Sequence, residues 1–393
     1  MNGSIRLVVP LVAVLAVAAC NAGGTSSVPG APVQTSQSHS IPDWQATGKA
    51  KRVCEDTRPG YAQCDALLIN GGGKISPDVA GWQPADFQAR YNLPSSSKGA
   101  NQVVAIVDAY DNPNAASDIA TYRTEFGLGT ANFTKYNQTG QTSSYPSPNK
   151  GWALEEDLDI EMVSAVCPNC TIYLVEANSN GTSDLDTAEA EAVTLGAHVV
   201  SNSWGGGSVD SSYFDTPGVV YLASAGDGGY GTQEPAALGS VVSVGGTTLT
   251  KSGSPPTYAE RVWSDTGSGC ATGISKPSWQ HDSGCTSRTM NDISAVAFGV
   301  AEYDSYEYSG WITIGGTSVS SPMMGGVFGL AGNASKLDAA KGFWTQKKKK
   351  YAKDLHDITE GSNGSCGGSY LCTAGTGYDG PTGWGTPNGI KAF

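Results

Sequence analysis

The feature that leaves this chain fewest possible folds is an alternation of short apolar, β-branched runs with helical stretches between Val103 and Val244. The runs Val103–Val107, Thr171–Val175, Val199–Ser203, Val219–Ser224 and Val241–Val244 are each four to six residues long. Ala115–Phe126 and Ser183–Leu195 read as helices between them, and Trp82–Leu93 as an earlier helix with Pro84 in its first turn. Runs that are apolar throughout, rather than at every second residue, fit strands covered on both faces. The expected class is therefore α/β, with a mostly parallel central sheet between helices and a site at the carboxyl ends of the strands. Residues 250–312, rich in Ser, Gly, Trp and Tyr, read as long loops with an antiparallel edge.

The N-terminus has the pattern of an export signal. Arg6 precedes the apolar stretch Leu7–Val17, which is too short for a permanent membrane span and ends in Val17-Ala18-Ala19-Cys20. That ending resembles a lipobox, so residues 1–20 are expected to be a lipoprotein-type signal with Cys20 as the lipidated residue. A plain signal peptide cut near the alanines is the alternative. Residues 21–50 are expected to be a disordered tether, 51–79 a short N-terminal segment and 80–393 the main domain. The other eight cysteines fall into sequence neighbours: Cys54 and Cys64, Cys167 and Cys170, Cys270 and Cys285, Cys366 and Cys372. Four local disulfides in an oxidising compartment are expected. Cys167-Pro168-Asn169-Cys170 also has redox or zinc spacing, but no second ligand pair accompanies it. The expected location is the bacterial cell envelope or the extracellular space, with membrane attachment only through Cys20. Charged residues make up 15% of the chain and the net charge is −13, which argues against a nucleic-acid partner. The basic run Lys347–Lys350 reads as a solvated helix face.

Three stretches carry candidate chemistry. Gly315-Gly316-Thr317-Ser318-Val319-Ser320-Ser321-Pro322 runs into a glycine-rich apolar segment and would expose the Ser318 hydroxyl at a helix N-terminus, where developing negative charge is favoured. The four histidines supply no evident base. His39 lies in the tether, His281 in a loop and His198 in an apolar strand as a core residue, while His356 has no local catalytic context. Gly151–Glu161 instead opens a helix with five carboxylates. Glu155 and Asp159, four apart, share one face and could pass a proton to and from a serine. Ala223–Gly229 places Asp227 on a glycine-rich turn after a strand, where a protonated carboxyl could donate to an oxyanion.

In that order the three stretches resemble the sedolisin family, the serine-carboxyl peptidases with a subtilisin-like fold, over about residues 80–393. The resemblance implies Ser318 as nucleophile, Glu155 with Asp159 as the proton-transfer pair and Asp227 as the oxyanion donor. It implies a serine-type endopeptidase acting on polypeptides at acidic pH, expected to be a monomer. Asp357-Ile358 with Gly375-Thr376-Gly377-Tyr378-Asp379 looks like the family's calcium loop. It implies one structural calcium ion held by the Asp357 and Asp379 side chains and the Ile358, Gly375 and Gly377 carbonyls. Ser203–Gly206 resembles the edge on which such enzymes hold a peptide by β-pairing. Asp108 occupies the place of a subtilisin's triad aspartate and is given a structural or supporting role. Members of that family usually carry a large N-terminal pro-domain, whereas here a short stretch separates Cys20 from the start of the expected catalytic region, which makes Arg52–Gly73 a candidate remnant of one. A histidine-based subtilase using His198 or His356, or an inactive envelope binding protein, are the alternatives.

Overall fold

The computed structural model describes residues 42–54, 58–69, 79–306, 308, 310–345 and 348–393. The expected signal, Cys20 and most of the tether lie outside them, as does Lys347. The last part of the supposed tether is structured, because it has a surface to bury against. Helix α1 (Asp43–Thr47) is followed by β1 (Ala50–Arg52), where Ala50 is buried, and the Trp44 indole donates to the Asp227 carbonyl oxygen at 2.8 Å. Two further short strands follow, β2 (Gln63–Cys64) and β3 (Leu67–Ile69), and then α2 (Pro84–Arg90), with Pro84 at its start.

The central sheet is built from β4 (Val103–Ala109), β5 (Asn132–Asn137), β6 (Thr171–Ala177), β7 (Val199–Asn202), β9 (Val220–Ser224), β10 (Val241–Ser252), β11 (Thr257–Val262) and β14 (Ile293–Val296). The order is β11-β10-β9-β7-β4-β6-β5, with β14 beside β10. All these pairings are parallel except β10 with β11. The expected α/β class with a parallel core is thus the observed one; four of the five apolar runs named in the sequence are strands within two residues of their expected bounds, and the fifth, Val241–Val244, continues to Ser252 as β10. The stretch read as long loops is instead largely strand: the β10–β11 edge, a ribbon of β12 (Gly269–Ser275) with β13 (Ser287–Met290), the core strand β14, and a hairpin of β15 (Phe298–Asp304) with β16 (Gly310–Gly315). The short β8 (Trp204–Gly205) lies just past β7.

Helices α3 (Ala115–Glu125), α4 (Lys150–Val166), α5 (Thr182–Thr194) and α6 (Thr317–Ala331) cover the sheet. Asn149 caps α4, its side chain accepting from the Gly151 and Trp152 amides at 3.0 and 3.2 Å. Two of these helices are not amphipathic. Trp152–Val166 and Thr317–Leu330 are buried on every side, so α4 and α6 are inner elements packed on one another. The glycines of α6 make that approach possible: a Cβ at Gly326 would stand 2.2 Å from the Val166 side chain of α4. Gly326→Ala therefore has to push the two helices apart, and is expected to destabilise by about 1–3 kcal/mol in chemical denaturation.

All four neighbouring cysteine pairs form disulfides: Cys54–Cys64, Cys167–Cys170, Cys270–Cys285 and Cys366–Cys372. Cys167 and Cys170 are thus a loop staple rather than a metal site.

Candidate active site

Strand β16 turns into α6 at Gly316, whose φ of +118° is open to glycine and costly for other residues. Glycine is required for a second reason. A Cβ there would stand 2.0 Å from the carbonyl oxygen of Asp65 and 2.8 Å from Oδ2 of Asp227. Ser318 is the second residue of α6, so its amide has no partner within the helix. That amide donates to the Asp65 carbonyl at 3.1 Å. The Ser318 hydroxyl donates to the Ser203 carbonyl at 3.1 Å, and the Ser203 hydroxyl donates to Oδ1 of Asp159 at 2.7 Å. The hydroxyl has a second acceptor close by in Glu155, whose charged form it favours, although only the bond to Ser203 meets strict geometry and both Glu155 carboxyl oxygens remain without one.

Glu155 and Asp159 lie on one face of α4, as their spacing predicts, and both are fully buried. Burial pushes the Glu155 pKa well up, and the neighbouring carboxyls of Asp159 and Asp108 add to it. Asp159 is raised by burial first and Asp108 second, against which the Ser203 hydrogen bond acts. Asp108 closes the group at the end of β4, with both carboxyl oxygens buried and lacking hydrogen bonds. Its pKa too is raised, by burial and then by Glu176. Three buried carboxyls in one neighbourhood cannot all ionise, so they share protons and titrate as a unit. Of the structural or supporting roles that the sequence left open for Asp108, the supporting one fits, because its field acts directly on both Glu155 and Asp159.

Asp227 follows β9 on its glycine-rich turn. Its Oδ1 accepts from the Thr317 amide at 2.8 Å and the Thr317 hydroxyl at 3.0 Å, while Oδ2 is buried with no partner. Burial, then the Asp65 carboxyl, raise its pKa well above the usual aspartate value. A carboxyl held protonated there would have one donor to offer, and the Asp65 carbonyl oxygen crowds the same point beside Gly316.

Asp65 carries no motif, and sequence reasoning missed it. It arrives because β2 pairs antiparallel with β8, Gln63 opposite Gly205 and Cys64 opposite Trp204, and the Asp65 amide donates to the Ser203 carbonyl at 2.9 Å. The Ser203–Gly206 edge expected to bind a peptide is thus paired with the chain's own N-terminal segment. The Asp65 side chain accepts from the Ser224 hydroxyl at 2.6 Å and from the Gln233 amide, with Arg52 at 3.5 Å. A cavity of about 160 Å³ lies beside it, walled largely by glycines.

None of the described histidines belongs to this cluster. His198 is exposed rather than in the core, its ring at 3.0 Å from the Gly218 carbonyl, because it stands at the entry to β7 where the sheet meets solvent. His356 contacts the Arg90 carbonyl at 3.2 Å and His281 is exposed in its loop. A second, larger cavity of about 760 Å³ lies apart from the cluster, between Trp344, Tyr351, Tyr378 and Trp384 and the C-terminal loop. Its walls include none of Ser318, Glu155, Asp159 or Asp227.

In that loop Asp379 accepts from the Gly375 amide at 3.0 Å and from Thr382, and Asp357 accepts from the Gly377 amide at 3.0 Å. Burial raises the Asp379 pKa to about 7, with a smaller push from Asp357. Among the described residues no three His, Cys, Asp or Glu side chains converge. A cation here would rest on the two carboxylates and backbone carbonyls, an all-oxygen set that suits calcium and not a softer metal.

A sequence profile described as the subtilase family matches residues 139–351, just over half of the chain. The chain is similar to sedolisin of Pseudomonas sp. (strain 101), 27% identical over 352 residues, covering 78% of this chain and 60% of that one. It is also similar to kumamolisin of Bacillus sp. (strain MN-32), 27% identical over 388 residues, covering 86% of this chain and 68% of the other. Among solved structures it superposes on Pseudomonas sedolisin, a serine-carboxyl proteinase complexed with two molecules of pseudo-iodotyrostatin. The TM-score is 0.69 at 28% identity, covering 79% of this chain and 96% of the other. The chain spans 60% of the length of the sedolisin it matches.

Proposed function

We propose, from the premise that this chain belongs to the subtilase family and is sedolisin-like within it, that it is a serine-carboxyl endopeptidase working in acid. The observation that carries the reading is a serine hydroxyl set among buried, proton-sharing carboxyls, with none of the described histidines at hand. Ser318 Oγ attacks the carbonyl carbon of the bound peptide while Glu155, coupled to Asp159, takes its proton. The tetrahedral oxyanion is held by the Ser318 amide and by protonated Asp227. Glu155 returns the proton to the leaving amine as the C–N bond breaks, and water releases the acyl group by the same steps in reverse. Asp108 is a positioning residue that keeps a proton within the Glu155–Asp159 pair.

Two protonation states must coexist, Glu155 ionised and Asp227 protonated. Lowering the pH removes the base by returning the first proton that the coupled Glu155–Asp159 pair gives up, and the raised pKa values of that pair set where this limb falls. Raising it through the elevated pKa of Asp227 removes the donor. The rate of digestion of an unfolded protein from pH 3 to 8 should therefore be bell-shaped with its peak in acid, absent in Glu155→Ala and retained in His198→Ala and His356→Ala. Asp227→Asn, which keeps a donor at every pH, should extend the alkaline limb. A peak above neutrality, or neutral activity that survives Glu155→Ala, sinks this mechanism.

The chain is further read as a monomer, exported and lipid-anchored at Cys20 to the bacterial envelope, in keeping with its four disulfides. We assign one structural calcium ion to Asp357, Asp379 and the Ile358, Gly375 and Gly377 carbonyls. When bound, it supplies positive charge between two carboxylates that otherwise repel. Calcium at about a hundred times its dissociation constant should stabilise the fold by about 2.7 kcal/mol. Thermal melts with chelator and with calcium read this out, and Asp357→Asn should remove the difference. Identical melts in both conditions, with no ion found by elemental analysis, would rule the ion out.

A further inference from the structure

We propose, resting on the peptidase reading above, that Ser203 is a positioning residue of the catalytic centre. Its hydroxyl donates to Asp159 when that carboxyl is charged and accepts from it when the carboxyl carries a proton. Ser203 lies just past β7, before β8, and is fully buried. Its polar groups face different parts of the site. The backbone carbonyl accepts from the Ser318 hydroxyl at 3.1 Å and from the Asp65 amide at 2.9 Å, so it serves the nucleophile and the polypeptide in the groove. The side chain turns to α4 instead, and donates to Oδ1 of Asp159 at 2.7 Å.

Among the described residues no other hydrogen bond reaches the Asp159 carboxyl, whose Oδ2 is buried without a partner. The elements that meet α4 at this point offer no charge in its place, since α6, β7 and β8 contain no ionisable side chain. The ionisable groups that do face the pair are acids: Asp108 on β4, Asp65 after β2 and Glu302 on β15. Glu176 of β6 and Glu156 of α4 act through Asp108. A lysine or arginine at position 203 would serve only the charged form of Asp159, and an apolar residue neither form. A hydroxyl has one donor and two acceptor sites, and can serve both.

In the charged state the Ser203 proton points at Oδ1 of Asp159. When Oδ1 is protonated, the Asp159 hydroxyl donates to Ser203 Oγ, and the Ser203 proton needs another acceptor. The Ser318 carbonyl oxygen stands 3.5 Å from that Oγ. Its availability is written in the sequence. In a helix this carbonyl would accept from the amide four residues on, which is position 322, and Pro322 has no N–H. The proline inside α6 thus deprives the nucleophile's own carbonyl of its helical donor, and the Ser203 hydroxyl is directed at it. Asp159 can then gain or lose its proton by the turning of a single O–H bond, with no heavy atom moved.

The two states are not served equally. A hydrogen bond donated to a carboxylate is about twice as strong as one between neutral groups, and the return bond to the Ser318 carbonyl is long. Ser203 therefore favours ionised Asp159, in a place where burial, then Asp108, push the other way. Glu155 and Asp159 share their protons, so help given to Asp159 lowers the pH at which the pair first gives one up. From that pH upward the pair can take the Ser318 proton. Removing the Ser203 hydroxyl removes the help, and the pair becomes a base only at higher pH.

The test measures kcat/KM for digestion of an unfolded protein from about pH 3 to 8, for wild type, Ser203→Ala and Ser203→Thr, each confirmed as folded by its thermal melt. Ser203→Ala should move the acid limb up by about one pH unit, losing about tenfold on that limb while keeping most of its rate at the peak. Ser203→Thr, which keeps the hydroxyl, should restore the wild-type limb. Should the extra methyl prevent folding, a double variant decides instead. On the acid limb, Ser203→Ala added to Asp159→Asn should cost far less than Ser203→Ala costs alone, because it acts through Asp159. An alanine variant whose limb stays in place, including one slowed equally at every pH, overturns the proposal and leaves the peptidase reading standing. Fully additive losses in the double variant do the same. A folded wild type with no activity at any pH overturns that reading, and the proposal with it.

Discussion

Ser318→Ala is expected to lower turnover of an unfolded protein by on the order of a million-fold, the scale on which a serine peptidase loses its nucleophile. Glu155→Gln should come within about a hundredfold of that loss, and the double variant should be no worse than Ser318→Ala alone. The reason is geometric. The Ser318 hydroxyl is useful only while a group beside it can take its proton, and the group that faces it is Glu155. Glutamine keeps the shape and loses the base. Residues that act in one step do not add, so the thermodynamic cycle between the two should show a coupling nearly as large as the smaller single effect. Additive losses would mean that Glu155 works in a different step, and a Glu155→Gln enzyme with near-normal turnover would remove it from the mechanism. Asp227→Ala is a milder loss, about 10²–10³-fold, because the Ser318 amide still holds the oxyanion.

How far the sequence revealed this site depended on how local each signal was. Ser318, Glu155 and Asp159 sit in short strings whose spacing carries their geometry: a helix start for the serine, and one helical turn between the two carboxyls. The parallel core was legible for the same reason, since Val104, Ile106, Val200 and Leu222 are apolar because both sheet faces are covered. Asp65 was invisible. It comes to the catalytic centre only through the pairing of β2 with β8 across more than a hundred intervening residues, and nothing in Gln63-Cys64-Asp65-Ala66 marks a residue that reaches the site. Only the Cys54–Cys64 pair hinted that the segment was built rather than loose. Asp108 was left between a structural and a supporting role, because what decides between them is its lack of hydrogen-bonding partners in three dimensions. The strands β12 to β16 were missed through composition. Ser, Gly and Tyr read as loop, yet Ile293, Ala295 and Val296 form a buried parallel strand beside β10.

The Ser318→Ala protein, which lacks the nucleophile, should lose stability steeply as pH rises from about 4 to about 8. Glu156, Asp157, Glu161, Glu189 and Glu302 are all fully buried, and burial is the main cause that lifts each pKa well above the carboxylate range. Among the described residues no cation bonds to these five, and only Glu156 has its pKa lowered by one, Lys135. Arg123 directs its donors to the Leu128, Gly129, Thr130 and Pro168 carbonyls and to Ser164, and Lys135 is shared between Asp111 and Glu176. Glu176 still has its pKa raised to about 8. In the unfolded chain these groups titrate near pH 4, so between pH 4 and their raised values the folded state holds more protons than the unfolded one, and stability falls with pH. Each group contributes about 1.4 kcal/mol per pH unit within its window, and a handful of them can consume the 5–15 kcal/mol typical of a whole domain. Thermal melts at successive pH values should therefore be highest near pH 4, and Glu156→Gln, which removes one such proton, should flatten the slope. Melting temperatures that hold steady or rise toward pH 8 would mean that these carboxyls are ionised and paired in the folded protein. A fold that needs its inner carboxyls protonated keeps its shape only where Asp227 also keeps its proton, so one chemical condition would govern both the stability of the chain and its catalysis.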